Sequence, residues 1–222
     1  LTFQLAIFMA GSVADGPGAG AGAAAGDGWL PARRQGRSGG RYNGGMNIRP
    51  FAGTLPTLGA RVYVDPGAHV IGDVVLGDDV SIWPGTVLRG DVHHIRVGAR
   101  SNIQDGTVVH VTHDGPYTPG GTPTLIGADV TVGHGALLHA CTVEDACLVG
   151  MHATLLDGCV VRKHGFVGAG ALVSPGKIVG PGELWLGNPA RLVRRLSDVE
   201  IEALYYSAKN YVDLKNRYLA HP

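Results

Sequence analysis

Charge is sparse in this sequence, and so are aromatic rings. Charged residues make up 16% and aromatics 6% of the 222 positions, and 18 basic side chains balance 18 acidic ones. No basic stripe points to nucleic acid as a partner, and no acidic block points to basic partners. No run reaches the ~18 apolar residues that a membrane helix needs, so no membrane association is expected. Leu1 to Ala10 is apolar but short, and lacks the basic start of a signal peptide. Cysteine is scarce too. Cys141, Cys147 and Cys159 form no CxxC pair and are odd in number. They read as buried small side chains in a reducing, cytoplasmic setting, not as a disulfide framework.

Glycine, in contrast, is abundant, with 36 residues. Residues 1–45 carry part of this excess in GPGAGAGAAAGDG and RRQGRSGGRYNGG. Such a stretch cannot bury a core and is expected to be disordered and outside the fold. Ordered-looking sequence begins at Met46, which reads as the natural start.

From Leu58 onward an aliphatic residue recurs every six positions. The series runs Leu58, Val64, Val70, Leu76, Ile82, Leu88, then Val97, Ile103, Val109, then Ile126, Val132, Leu138. After a one-residue slip it continues Val143, Val149, Leu155, Val161, Val167, Val173. A period of six fits neither a helix nor a lone strand. It fits short strands joined by tight turns, each strand sending one side chain into a common core. Gly and Asp then mark the turns. Three faces close one coil of about eighteen residues. The expected architecture is an all-β solenoid, a parallel β-helix of hexapeptide repeats, over residues 46–192. Ser197 with Glu200 then forms a capping box. Ile201, Leu204, Tyr205, Ala208, Tyr211, Val212 and Leu219 follow at helical spacing. Residues 193–222 are therefore expected to hold a C-terminal helix packed on the solenoid.

The repeat also sets a register for the histidines. With residues 112–123 treated as a long turn, Val109, Ile126, Val132 and Leu138 span one coil. His110 follows Val109 and His139 follows Leu138, so both stand at the same place on one face, one coil apart. Adjacent strands lie ~4.8 Å apart, a separation that suits two imidazoles sharing a metal. His134 stands one face earlier and cannot easily join that pair within its own subunit. A neighbouring subunit could supply it, which predicts a cyclic homotrimer with metal sites at its interfaces. Three nitrogen ligands with an open fourth position is the composition of a catalytic zinc site. Arg89 falls one coil before His110 on the same face. Gln104 and Asp105 lie one face earlier, so a cation, an amide, a carboxylate and imidazoles are expected near one edge.

The segments LRGDV, NIQDGTVVHV, VGHGALLHACTVED and LVGMHATLLDG together resemble the γ-class carbonic anhydrase family of hexapeptide proteins. The likeness covers about residues 46–192. It implies a left-handed coil, and it implies that His110, His134 and His139 bind Zn²⁺, or Fe²⁺ or Co²⁺. In that family the counterparts of His110 and His139 come from one subunit and that of His134 from its neighbour. Arg89 and Asp91 match an interface salt bridge that supports the trimer. Gln104 and Asp105 match residues that orient solvent at the metal, and Asn102 belongs to the same motif. The implied reaction is the reversible hydration of CO2 to bicarbonate by metal-activated water.

The chain departs from the family pattern in places. Val92 follows Asp91, and the 112–123 loop holds no glutamate to shuttle protons. His113 is the candidate shuttle there. His152 stands where many relatives have Gly. Rival readings are a hexapeptide acyltransferase with a histidine base, a CoA thioesterase, and a catalytically weak or structural homologue.

Overall fold

The computed structural model describes residues 47–221. The expected leader, residues 1–45, and the expected start at Met46 lie outside the described residues. From Asn47 the chain winds into parallel strands, most of them only two or three residues long.

One aliphatic side chain per strand points inward, and the ladders stack these side chains in columns. On one face Val64, Ile82, Ile103, Val132, Val149, Val167 and Trp185 follow one another in register. A second column holds Leu88, Val109, Leu138, Leu155 and Val173. A third holds Leu76, Val97, Ile126, Val143, Val161 and Val179. From Ile82 to Val179 these columns are essentially shut from water. Each such aliphatic side chain contributes about 1.5–3 kcal/mol relative to exposure. The period read from sequence thus continues past Val173, through Val179 to Trp185. Cys141, Cys147 and Cys159 are free thiols buried in the same core.

The turns explain the Gly and Asp residues of the repeat. Two or three corner residues per coil adopt a left-handed backbone, as Ala146, His152 and Gly158 do within one coil. Asp79 (φ 60), Arg100 (φ 62) and Asp129 (φ 57) occupy such corners. Asp tolerates this region better than most residues. Arg100 pairs with Asp129 at 2.6 Å, tying adjacent coils together at the corner. Gly98 has a different reason. A Cβ there would lie 2.4 Å from the carbonyl carbon of Gly127 in the next coil.

The last coil closes as a hairpin. The strand Ala190–Arg195 runs antiparallel to Glu183–Gly187. Residues 193–195, expected in the helical tail, are therefore extended. The helix is Asp198–Ala220, opened by the Ser197–Glu200 capping box. Its apolar stripe differs in part from the spacing-based expectation. Leu204 and Ala208 are buried, but Tyr205 and Leu219 are 41% and 45% exposed. Tyr205 lies at the solenoid edge, where its hydroxyl meets His164 Nε2 at 2.9 Å. Tyr218, outside the expected stripe, packs its ring on Trp83 at 5.3 Å and Tyr63 at 5.4 Å. Lys215 is fully buried and reaches Asp79 at 2.8 Å. Hydropathy spacing missed it because an ion pair, not apolarity, makes its burial tolerable.

Candidate metal centre

Strand register brings His110 and His139 together. Val108–His110 and Leu137–His139 pair residue for residue, His110 opposite His139. His110 Nδ1 lies 3.2 Å from His139 Nε2. The ring centroids are 5.2 Å apart with planes inclined at 56°.

A carboxylate stands behind each ring. His110 Nε2 is 3.0 Å from Asp91 Oδ1. His139 Nδ1 is 2.7 Å from Asp157 Oδ1. Asp91 owes its place to an insertion in the strand Val87–Val97. Gly72 and Val74 of the preceding coil face Gly90 and Ile95, so residues 91–94 stand against residue 73 alone. Arg89 is ion-paired with Asp91 in the same chain. The resemblance assigned that pair to a subunit interface; within one chain the two already hold each other, and Asp91 also holds His110. The Thr112 hydroxyl donates to the second oxygen of Asp157, and the Thr124 hydroxyl donates to the His110 carbonyl.

These contacts set the protonation pattern. Burial pushes His110 below its ordinary pKa, outweighing the pull of Asp91, so the imidazole is neutral near pH 7. Burial alone would raise Asp91, but hydrogen bonds from His110 and Arg89 hold it low. Asp157 is held low in the same way, against burial, by Thr112 and His139. Ionised carboxylates only accept hydrogen bonds. The outer nitrogen of each ring therefore donates to its carboxylate, and the inner nitrogens, His110 Nδ1 and His139 Nε2, face each other. They stand 3.2 Å apart, a separation that a shared cation can bridge. Two nitrogens on one tetrahedral ion at ~2.0–2.1 Å stand about 3.3–3.4 Å apart. The donor pair fits a divalent metal, and the carboxylates behind it are the usual outer partners of ligating histidines.

His134 is held elsewhere. Its Nδ1 meets Asp105 Oδ2 at 2.9 Å, and its side chain is 44% exposed. No hydrogen bond among the described residues engages its Nε2. Gln104 is buried and donates to Asn102 Oδ1 at 3.0 Å. Asn102 donates to Thr131 Oγ1 at 3.0 Å, and Thr131 meets Ser207 of the helix at 3.1 Å. The expected cation, amide, carboxylates and imidazoles do not form one hydrogen-bonded network among the described residues. Hydrogen bonds and ion pairs divide the charged and imidazole groups into two sets, Arg89, Asp91, His110 and His139 with Asp157, and Asp105 with His134, while Gln104 bonds to Asn102. The two sets arise on different faces of the coil, because His134 follows Val132 while His110 and His139 follow Val109 and Leu138. Among the described residues of one chain, no group of three His, Cys, Asp or Glu side chains converges.

His113 is exposed on its loop. His152 has a left-handed backbone (φ 56), and its ring covers Gly135, where a Cβ would lie 2.4 Å from it. Glycine would occupy such a left-handed corner without strain. Asp157 and Thr112 were missed in the sequence. A signal existed for Asp157, which lies 18 residues, one regular coil, beyond His139.

No helix among the described residues is long and apolar enough to cross a membrane. The bacterial transferase hexapeptide (six repeats) family matches residues 56–90. Protein YrdA of Escherichia coli strain K12 is 51% identical over 172 residues, covering 78% of this chain and 94% of that protein. Gamma carbonic anhydrase 2, mitochondrial, of Arabidopsis thaliana is 54% identical over 159 residues, covering 72% of this chain and 57% of that protein. The crystal structure of a hexapeptide transferase family protein from Anaplasma phagocytophilum is 43% identical, with a TM-score of 0.71, and covers 77% of this chain and 97% of that one. With a hexapeptide solenoid, a carboxylate-backed histidine pair and these relatives together, the chain belongs to the γ-carbonic anhydrase-like family of hexapeptide-repeat proteins.

Proposed function

We propose that this protein is a metal-dependent lyase that hydrates CO2 reversibly at the interfaces of a homotrimer. The observation that carries this reading is the His110–His139 pair, 3.2 Å apart between nitrogens, with a carboxylate behind each ring. His110 and His139 of one protomer, with His134 of its neighbour, would hold Zn²⁺, Fe²⁺ or Co²⁺. A divalent ion so held supplies Lewis acidity, which makes water nucleophilic near neutral pH. Asp91, Asp157 and Asp105 fix the three rings, so the donor nitrogens need no reorganisation on binding. Gln104, its amide nitrogen held by Asn102, and Asp105 orient the reacting water. CO2 takes up the water oxygen and one proton leaves, giving bicarbonate and H⁺; the exposed His113 passes that proton to bulk solvent.

The full-length protein, prepared without chelators, should contain one metal per interface and should hydrate CO2. His134→Ala should retain the solenoid by circular dichroism but lose most of its metal. Full metal retention in that variant would overturn the proposed ligand set. A second reading, acyl transfer, draws on the transferase name of the Anaplasma relative. Turnover of acetyl-CoA with an amine acceptor, unaffected by removing the metal, would favour it instead.

A further inference from the structure

Among the described residues, Asp157 is the one carboxylate bonded to the histidine pair that the insertion at residues 91–94 does not supply. It comes from the turn after the strand Thr154–Leu155, in the coil following His139. Both of its oxygens are used. Oδ1 faces His139 Nδ1 at 2.7 Å, and Oδ2 accepts from the Thr112 hydroxyl. Thr112 is the root of the 112–123 loop, where its backbone pairs with Thr122 in both directions at 2.9 Å. Thr124, just past the other end, donates to the carbonyl of His110. The loop is thus fastened to one histidine of the pair through Asp157 and to the other through Thr124.

We propose that Asp157 is a positioning residue for the metal site: it fixes the His139 ring with Nδ1 protonated and Nε2 free to donate its lone pair, and it locks the root of the 112–123 loop to that ring. This deepens the metal-centre reading and rests on it. The chemistry needs an acceptor at that point. An imidazole without a partner at Nδ1 prefers to carry its proton on Nε2, which would direct a hydrogen toward His110 and spoil the donor set. The carboxylate is itself held, because the Thr112 hydroxyl donates to Oδ2 while Oδ1 meets the ring. Aspartate reaches both partners at once. Asparagine keeps an acceptor but loses the charge and one acceptor oxygen.

The test uses full-length protein with ¹⁵N-labelled histidine, plus Asp157→Ala, Asp157→Asn and Thr112→Val. The first readout is the His139 tautomer in metal-free protein, from ¹⁵N chemical shifts. The parent should show protonated Nδ1. Asp157→Ala should move His139 toward the Nε2-protonated form, and Asp157→Asn should retain the parent pattern. The second readout is Zn²⁺ affinity by chelator competition. Asp157→Ala should bind about 10–100-fold more weakly, Asp157→Asn should fall between it and the parent, and Thr112→Val should raise amide exchange across residues 112–123. An unchanged His139 tautomer in folded Asp157→Ala overturns the proposal, as does unchanged Zn²⁺ affinity in that variant. If the parent itself bound no Zn²⁺, the metal-centre reading would fail, while the tautomer would still decide the role of Asp157 toward His139.

Discussion

Single residues in this solenoid are constrained by the spacing between coils more than by their own conformational preferences. Gly98 illustrates this. The carbon added by Gly98→Ala would sit 2.4 Å from the backbone of Gly127, and the obstacle is main chain, which cannot rotate away. Relief requires spreading two coils whose ladder holds the strands Val87–Val97 and Thr124–Ile126 in register. Gly98→Ala should therefore cost about 1–3 kcal/mol in urea denaturation, as overpacked cores do. The same substitution at Gly106 meets nothing within 4 Å, but its backbone is left-handed (φ 69). That cost is conformational only, about 1 kcal/mol. If Gly98→Ala proved the milder of the two, the coil spacing would be softer than the ladder implies.

Among the elements, the C-terminal helix depends on a buried ion pair as well as on apolar contact. Lys215, fully buried, meets Asp79 at 2.8 Å, and Asp79 also accepts from Arg61 Nε at 2.9 Å. The two partners are not equivalent. Asp79→Asn leaves Lys215 buried without its counter-charge and should destabilise by about 3–5 kcal/mol. Lys215→Met leaves Asp79 still paired with Arg61 and should cost far less. The hydrogen bond from Arg61, against burial and with help from Lys215, lowers the Asp79 pKa from 3.8 to about 2. A carboxylate lowered in the folded state stabilises above its unfolded pKa, and the benefit fades as pH falls through the folded value. Stability should therefore drop between roughly pH 4 and pH 2, and Asp79→Asn should flatten that part of the profile. Thermal melts across this range would check it. The helix also reaches the candidate site through Ser207, Thr131, Asn102 and Gln104.

At the scale of the whole molecule, the proposed ligands of one chain fall in two sets that do not converge among the described residues. The proposed trimer makes a direct prediction. His110→Ala damages one half and His134→Ala the other, so each variant alone should lack the metal. An assembly mixed from both regains an intact site wherever an undamaged pair meets an undamaged His134. Random assembly restores about one interface in four, since each of the two protomers must be of the required kind. Metal content and CO2 hydration should return to about that fraction after co-refolding equal amounts. No recovery would mean that all ligands come from a single chain.

The period of six was written in the residues themselves, and it fixed the inward columns, the coil and the His110–His139 register. A repeat that stacks only on its neighbours has few ways to fold, so local pattern and global architecture coincide. The capping box at Ser197 was legible for the same reason, since its partners are three residues apart. What the sequence did not disclose depends on groups brought together from different coils and faces. Lys215 is polar by type and buried only because Asp79 waits on the solenoid. The carboxylate behind His110 is set by how the inserted residues 91–94 bend across a corner, and the one behind His139 by a turn in the next coil. The offset of His134 from His110 and His139 was legible in the register, whereas the carboxylate that backs each ring was decided only by the closed coil in three dimensions.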